Sequence, residues 1–247
     1  MNFFPRSLVY FGAAVLGLLA AAPVPSFAQD YAALIAAPDR SEADRQTDQR
    51  RDPVKLLAFT GVKTGMAVLD MGAGGGYSTE LMARAVGASG KVFAQDFEPS
   101  ARAKERFEAR MKTPAMKNVA PFERKFDDPL PVDIGPLDLI TFFFFYHDTT
   151  YMTVDRAQMN KKLFAALKPG AFLVIADHSA KAGAGVSVAK TLHRIEESTL
   201  RSEIEAAGFK LVEEGNWLRH PEDTRDERIF QPKVPVDEFV LKFQKPN

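Results

Sequence analysis

Residues 68–77 read Val-Leu-Asp-Met-Gly-Ala-Gly-Gly-Gly-Tyr, an apolar run that ends in an acid and continues into glycines at alternate positions. Glycine adopts positive φ at little cost and lets the backbone approach a ligand closely. A helix that starts after such a turn directs its first, unpaired N–H groups at the same place. The stretch therefore predicts a strand, a tight ligand-binding turn and a helix, as found at the crevice of an open α/β sheet.

Short apolar runs of strand length alternate with segments of helical spacing along the chain. The predicted strands cover residues 67–70, 91–95, 137–145, 171–176, 209–213 and 238–243. The predicted helices cover residues 53–59, 78–86, 99–111, 155–167 and 198–207. This alternation indicates crossover connections, so we expect a doubly wound α/β fold with a mostly parallel sheet.

Four consecutive phenylalanines at residues 142–145 allow two interpretations. Aromatic stacking on a ligand is one of them. A strand that is covered on both faces is apolar at every position, so we interpret the run as a central strand. The small, glycine-bearing segment at residues 178–189 is expected to be a mobile loop beside the site.

The overall composition excludes several classes of function. The chain of 247 residues carries 32 basic and 32 acidic side chains, so its bulk charge does not predict a nucleic acid as partner. It contains no cysteine, which excludes disulfides, thiolate metal sites and a cysteine nucleophile. The length fits one large domain.

The first 28 residues have the pattern of a secretory signal peptide. They contain no acid, one arginine and an apolar or small run at residues 8–22, which two prolines follow. That run is shorter than the ~20 residues of a spanning helix, and Ser26 and Ala28 are small enough to precede a cut at Ala28/Gln29. We expect export to the periplasm, with no membrane attachment of the mature form; a retained anchor is the alternative. Residues 29–60 are expected to form an N-terminal helical arm.

The spacing of the glycines selects the ligand. A dinucleotide fingerprint needs glycine where Tyr77 stands, which disfavours a nicotinamide cofactor. The pattern of Asp70, Gly72, Gly74 and Gly76 instead resembles the first motif of the S-adenosylmethionine-dependent methyltransferases with a Rossmann-like fold, and the resemblance extends from about Thr60 to Lys245. We expect residues 61–247 to form the methyltransferase-like domain. The resemblance implies a seven-stranded sheet with an antiparallel final strand, S-adenosylmethionine as cofactor, and contacts of these four residues with its methionine part.

Two further acids match cofactor-binding positions of that family. Asp96 ends the second predicted strand, where the resemblance implies that an acid holds both ribose hydroxyls. Two adjacent hydroxyl donors suit a two-oxygen acceptor. An N-cap for the following helix is the alternative role of Asp96. Asp127 is assigned to the adenine amine, although Asp128 beside it leaves the register open.

Histidines at the ends of the fourth and fifth strands are candidates for the acceptor side. His147 and His178 each lie beside an acid, Asp148 and Asp177, at sheet positions where ligands bind in this architecture. We assign His147, Asp148 and His178 as catalytic residues, with His147 as the first choice of base. The alternative is that Asp148 caps a helix and His147 packs beneath it.

A metal-dependent variant of this site is a second hypothesis. Asp148 with Asp177 and His178 is similar to the magnesium ligands of the catechol-type O-methyltransferases, except that His178 stands in place of asparagine. Histidine suits manganese, iron or zinc better than magnesium. We assign no metal ligand. His193 either faces the same crevice or belongs to a charged helix surface.

The sequence therefore predicts methyl transfer from S-adenosylmethionine to a small-molecule acceptor. Its exported location conflicts with a cofactor that is made in the cytoplasm. The alternative is an exported, non-catalytic module that binds an adenosine-like or small polar ligand in the same crevice. The acceptor and the oligomeric state are not specified by the sequence.

Overall fold

The computed structural model describes Met1, residues 29–132 and residues 134–247. The predicted signal peptide lies outside these residues except for Met1, so it stays a prediction. Within the described part of the chain, no helix combines the length and the apolar character needed to cross a bilayer.

Seven strands form one sheet. They are Ala67–Met71 (β1), Lys91–Asp96 (β2), Val119–Glu123 (β3), Leu137–Phe143 (β4), Leu167–His178 (β5), Lys210–Gly215 (β6) and Glu238–Gln244 (β7). Their order is β3-β2-β1-β4-β5-β7-β6. Only β7 runs antiparallel to its neighbours, β5 and β6. The predicted doubly wound, mostly parallel sheet with an antiparallel final strand is confirmed.

Helices flank the sheet on both faces. Those described are Tyr31–Ile35 (α1), Glu42–Arg51 (α2), Pro53–Thr60 (α3), Tyr77–Val86 (α4), Ala101–Met111 (α5), Arg156–Ala166 (α6), Ala189–Leu192 (α7) and Glu197–Ala206 (α8). The first three fall within the predicted arm. The prediction for α3 is supported in detail, because the Asp52 carboxylate accepts from the Lys55 N–H and Gly61 ends the helix at φ 70°.

The core has two layers because successive strand residues point to opposite faces of the sheet. Val68 of β1 and Leu139 of β4 pack with α3 and α4, whereas Leu69 and Ile140 pack on the other face with α6 and α8. All four side chains are buried. Strands covered on both faces read as continuous apolar runs, which explains why the sequence pattern located β1 and β4.

Strand β3 is not among the strands predicted from the sequence. This strand reads Val-Ala-Pro-Phe-Glu and pairs only with β2, at the edge of the sheet. Proline cannot donate to a ladder, so it is tolerated at an edge and makes the segment look unlike a strand. Asp127 and Asp128, the two candidates for the adenine amine, lie shortly after this strand.

The prediction that β4 reaches residue 145 is wrong at its end. The strand stops at Phe143, and Phe144 takes the left-handed conformation with φ 58°. This turn brings the Phe145 ring against Gly72, where an added Cβ would lie 3.0 Å from the Phe145 Cγ atom. A short 3-10 helix, Tyr146–Thr150, follows. The last two phenylalanines therefore line the turn rather than extend the strand.

Ion pairs attach the arm to the rest of the domain. The Arg110 guanidinium of α5 donates to both carboxylate oxygens of Asp44 in α2 at 2.8 Å and also contacts Glu80 of α4. The Tyr77 hydroxyl donates to the Asp48 carboxylate at 2.7 Å. Because Asp44 and Glu80 are both buried, these contacts hold α2 firmly against α4 and α5.

We expect Arg110→Ala to lower the free energy of unfolding by about 1–3 kcal/mol, because it leaves the buried carboxylates of Asp44 and Glu80 short of a charged donor. Urea denaturation measures this change. Arg201→Ala is the control, since its ion pair with Glu205 is exposed and is expected to contribute less than about 1 kcal/mol. Equal losses for the two variants would contradict the interpretation.

Gly72→Ala is expected to destabilise the protein by about 1–3 kcal/mol, because an alanine at φ 63° is strained and its Cβ would crowd Phe145. The matched control is Gly135→Ala, where an added Cβ has no neighbour within 4 Å. Thermal and urea unfolding of both variants give the comparison. A Gly72→Ala protein as stable as the control would show that the turn tolerates a side chain.

Candidate active site

The glycine turn, residues 72–76, has the backbone that the sequence predicts. Gly72, Gly74 and Gly76 have φ values of 63°, 53° and 80°, so all three are left-handed. Gly76 caps α4 without any side-chain hydrogen bond. The N–H groups of the first helical turn therefore lack partners within the helix and are available to a ligand.

Asp70 supports this turn from inside the protein. Its side chain is fully buried, and its carboxylate accepts hydrogen bonds from the hydroxyls of Ser78 at 2.9 Å, Thr79 at 2.7 Å and Thr141 at 2.8 Å. Burial raises the pKa of Asp70, while the three hydroxyls act in the opposite direction. The geometry favours a positioning role, and the direct cofactor contact assigned to Asp70 stays a prediction.

Asp96 lies beside the glycine turn at the end of β2. One carboxylate oxygen accepts from the Gly74 N–H at 2.9 Å and the other from the Phe97 N–H at 2.8 Å. Burial raises the pKa of Asp96 against these two donors. A carboxylate has about four acceptor positions, so both oxygens keep capacity for further donors. The alternative role of Asp96 as an N-cap is wrong, because Ser100 caps α5.

A cleft of about 720 Å³ lies between the glycine turn and the arm. The turn and residues 143–145 form one wall, and α2 forms the other through side chains that include Arg50 and Arg51. The Arg51 guanidinium lies 4.2 Å from the ring centroid of Phe144. Burial lowers the pKa of Arg51 to about 10, so it remains positive at neutral pH. The cleft has the size of typical small-molecule sites.

A smaller cleft of about 350 Å³ lies on the other side of the turn. The two clefts share Ala73 and Gly74, and Asp96 lines the smaller one. The apolar side chains of Phe107 and Phe122 also line it. The Asp96 carboxylate is therefore next to both polar backbone donors and an apolar surface.

Asp127 lies in the turn that follows β3. Its carbonyl oxygen accepts from the Gln158 side chain at 3.0 Å. The neighbouring Asp128 forms ion pairs with Arg124 and Lys162. Within the described part of the chain, the Asp127 carboxylate has no hydrogen-bond or ion-pair partner, which favours Asp127 over Asp128 as the binding residue. Its contact with an adenine amine stays a prediction.

The structure places two of the three predicted catalytic residues in one cluster with a third histidine. The Nε2 atom of His147 lies 3.2 Å from Oδ1 of Asp148 and 3.3 Å from Nδ1 of His193. Nδ1 of His193 lies 3.3 Å from the same Asp148 oxygen. We call these three residues the histidine cluster. It joins the 3-10 helix after β4 to the residue that ends α7.

His147 is held from behind by Asp177 of β5. Its ring Nδ1 lies 2.7 Å from Asp177 Oδ1, and its backbone N–H donates to Asp177 Oδ2 at 2.8 Å. Burial alone would lower the pKa of His147, but Asp177 and Asp148 outweigh it and raise this pKa to about 10. The imidazole is therefore protonated at neutral pH, with a carboxylate beside each ring nitrogen.

His178 does not join this cluster. Its Nδ1 atom lies 3.0 Å from a carboxylate oxygen of Glu238, and both side chains are buried. Burial lowers the pKa of His178 to about 3 and raises that of Glu238 to about 7. The His178 ring lies 5.6 Å from the His147 ring, centroid to centroid, but its Nδ1 atom faces the buried Glu238 and not the cluster, so the structure favours a packing role over the catalytic role assigned to His178.

His193 is the functional candidate that sequence reasoning left undecided. Its backbone is left-handed, with φ 56° and ψ 50°, and it lies where α7 ends. Ile195, two residues further on, forms a parallel β-bridge with Ser179, and this bridge places His193 near the end of β5. Non-glycine residues in this conformation are uncommon, and histidine is among those enriched there. A His-Arg pair at the end of a short helix is too weak a signal to reveal this contact.

Known proteins resemble this chain in its central part. A family model described as methyltransferase domain matches residues 62–219. A curated relative, the demethylmenaquinone methyltransferase of Lactococcus lactis subsp. lactis, is 33% identical over 126 residues, which are 51% of this chain and 47% of the relative. The alignment thus spans about half the length of that protein.

Solved structures share the fold. A SAM-dependent methyltransferase from Aquifex aeolicus superposes with a TM-score of 0.59 at 22% identity, covering 81% of this chain and 96% of the other. A SAM-dependent O-methyltransferase from Thermotoga maritima gives a TM-score of 0.54 at 18% identity, covering 80% of this chain and 65% of the other. The family predicted from the sequence is confirmed, and S-adenosylmethionine is supported as the cofactor. Because the family model matches more than half of the residues of this chain, the chain belongs to the methyltransferase-domain family.

Proposed function

We propose that the protein transfers the methyl group of S-adenosylmethionine to a small-molecule acceptor at the carboxyl ends of β4 and β5. The observation that carries the proposal is the hydrogen bond from the Gly74 N–H to the Asp96 carboxylate. It holds this carboxylate, which has two acceptor oxygens, beside the turn that presents the unpaired N–H groups of α4. The 720 Å³ cleft begins at this turn and reaches the residues just before the histidine cluster. Binding groups for the cofactor and polar groups for an acceptor therefore lie at one edge of the sheet.

The residues present fit the cofactor. Asp96 accepts two backbone N–H groups and keeps lone pairs for the two hydroxyls of a ribose. The first N–H groups of α4 suit a carboxylate, and the positive φ of the three glycines keeps side chains out of that space. When bound, the cofactor supplies a methyl group on a positively charged sulfur. The chain supplies orientation, which in a displacement reaction accounts for much of the acceleration.

The histidine cluster is assigned to the acceptor side of the reaction. His147 was the sequence-based choice of base, but a protonated imidazole between two carboxylates donates protons rather than accepts them. His147 is also buried, so it acts as a positioning residue for Asp148 and His193. A proton that leaves the acceptor passes to solvent at the mouth of the cluster, where the His193 side chain is 21% exposed.

Calorimetric titration of the full chain with S-adenosylmethionine and S-adenosylhomocysteine is expected to show micromolar binding. Asp96→Asn removes the charge with little change in shape, and Asp96→Ala removes both acceptors, so we expect affinity to fall about tenfold or more, equivalent to ~1.4 kcal/mol. Glu213→Ala in β6, far along the sheet from the turn, is the control and should bind like the unchanged protein.

Two outcomes of that titration contradict the proposal. Absence of heat with both compounds would overturn the cofactor site. Binding of a nicotinamide dinucleotide instead would restore the oxidoreductase interpretation. If the protein is instead an exported, non-catalytic module, adenosine-like compounds should bind without any preference for the sulfonium form or its product.

The protonated state of His147 has a consequence for stability. Its folded pKa of about 10 exceeds the ordinary value of 6.5, so its stabilising contribution is complete below pH 6.5 and is lost as the pH rises through 10. We expect the difference in unfolding free energy between the unchanged protein and His147→Gln to shrink over this window. Urea denaturation in a chelating buffer at several pH values measures it, with Glu213→Gln as the control series. A constant difference would show that His147 is neutral.

A further inference from the structure

The histidine cluster has the geometry of a metal-binding face. His147 Nε2, Asp148 Oδ1 and His193 Nδ1 form a triangle with sides of 3.2, 3.3 and 3.3 Å. Metal–nitrogen and metal–oxygen bonds of about 2.0–2.2 Å separate neighbouring ligand atoms by ~3.0 Å at right angles and by ~3.4 Å at the tetrahedral angle. The observed sides fall between these values, so an ion just outside the triangle reaches all three atoms.

The ring of His147 is fixed in the orientation that a metal ligand needs. Asp177 is fully buried, and its carboxylate accepts hydrogen bonds from the backbone N–H groups of His147 at 2.8 Å and His178 at 2.9 Å. The ring Nδ1 of His147 lies 2.7 Å from the same carboxylate. The opposite ring atom, Nε2, is thereby directed at Asp148 and His193, and a metal ion that binds there replaces the Nε2 proton of the metal-free protein, which is released to solvent. A carboxylate behind a ligating histidine is the usual arrangement at metal sites, where it sets the tautomer and the ring angle.

The other two ligand atoms come from partly exposed side chains. Asp148 is 17% exposed and His193 is 21% exposed, whereas His147 is 2% exposed. The Tyr151 hydroxyl also donates to the Asp148 oxygen and steadies this carboxylate. The ligand atom of His147 is thus enclosed by the protein, whereas those of Asp148 and His193 lie nearer to solvent. Metal sites that keep open positions for water or substrate have this arrangement.

We propose that His147, Asp148 and His193 bind a divalent transition-metal ion, with Asp177 as the positioning residue behind His147. Two imidazole nitrogens and one carboxylate favour zinc, iron or cobalt over magnesium and calcium, which prefer all-oxygen sets. This site differs from the Asp148, Asp177 and His178 set raised by the sequence. Asp177 already accepts three nitrogen contacts, and His178 faces Glu238.

An ion at this position has open coordination sites that face the acceptor region. Such an ion polarises a bound oxygen and lowers the pKa of a hydroxyl, which prepares it for methylation. This role rests on the proposed methyl transfer. The binding of the ion does not, because it depends only on the three ligands and is measured without cofactor or acceptor.

The test is a titration of the full chain with Co²⁺ after removal of bound ions by a chelator. We expect one equivalent to bind, with visible absorption bands of cobalt in a nitrogen and oxygen environment, and Zn²⁺ to displace it. His193→Ala and Asp148→Asn are expected to weaken Co²⁺ binding more than tenfold. Asp177→Asn should weaken it by about 10–100-fold through loss of the support behind His147. Excess Mg²⁺ should not displace the cobalt.

His220→Ala is the matched control, since this histidine pairs with Glu222 in a loop away from the cluster. It should bind Co²⁺ like the unchanged protein, and circular dichroism verifies that every variant is folded. Substoichiometric binding, or binding that His193→Ala leaves unchanged, would overturn the inference. Calorimetry with S-adenosylmethionine on the same samples separates the two proposals, because loss of cofactor binding with intact Co²⁺ binding would overturn only the proposed function.

Discussion

The site depends on the buried carboxylate of Asp70. Its three hydroxyl donors come from two residues of α4, Ser78 and Thr79, and from Thr141 of β4. One side chain therefore ties β1 to the next strand in the sheet and to the helix that follows it. Burial of this carboxyl group is tolerated because each donor compensates part of its desolvation. The glycine turn spans the gap between the elements that Asp70 connects, so its shape follows from this network.

Most of the fold was predictable because the sheet is buried on both faces. Strands β1, β2, β4 and β5 are marked by apolar runs, and α3, which precedes them, is marked by its caps Asp52 and Gly61. The glycine turn was predictable for a different reason. Only a backbone with positive φ explains glycine at alternate positions after an acid, and the structure has that backbone at Gly72, Gly74 and Gly76.

The parts that sequence reasoning missed depend on contacts between distant segments. Pro121 made β3 look unlike a strand in sequence. The turn at Phe144 lies within an apolar run whose pattern predicts one long strand. The three hydroxyl partners of Asp70, which give it a positioning role, are not visible in the sequence. His193 reaches His147 across 46 residues, through a bridge that no local pattern indicates. Local sequence preferences indicate helices and strands. Which side chains meet in a site is decided by the tertiary fold.

One wall of the main cleft comes from α2, at Glu42–Arg51, while the family match begins at residue 62. The residues matched by the family model and the residues that form this cleft therefore have different boundaries. A segment that precedes the residues matched by the family model contributes to the shape and the charge of the space beside the glycine turn, with Arg51 over an aromatic ring. Divergence of ligand choice among proteins with this sheet can thus arise upstream of the shared domain, without any change to the sheet itself.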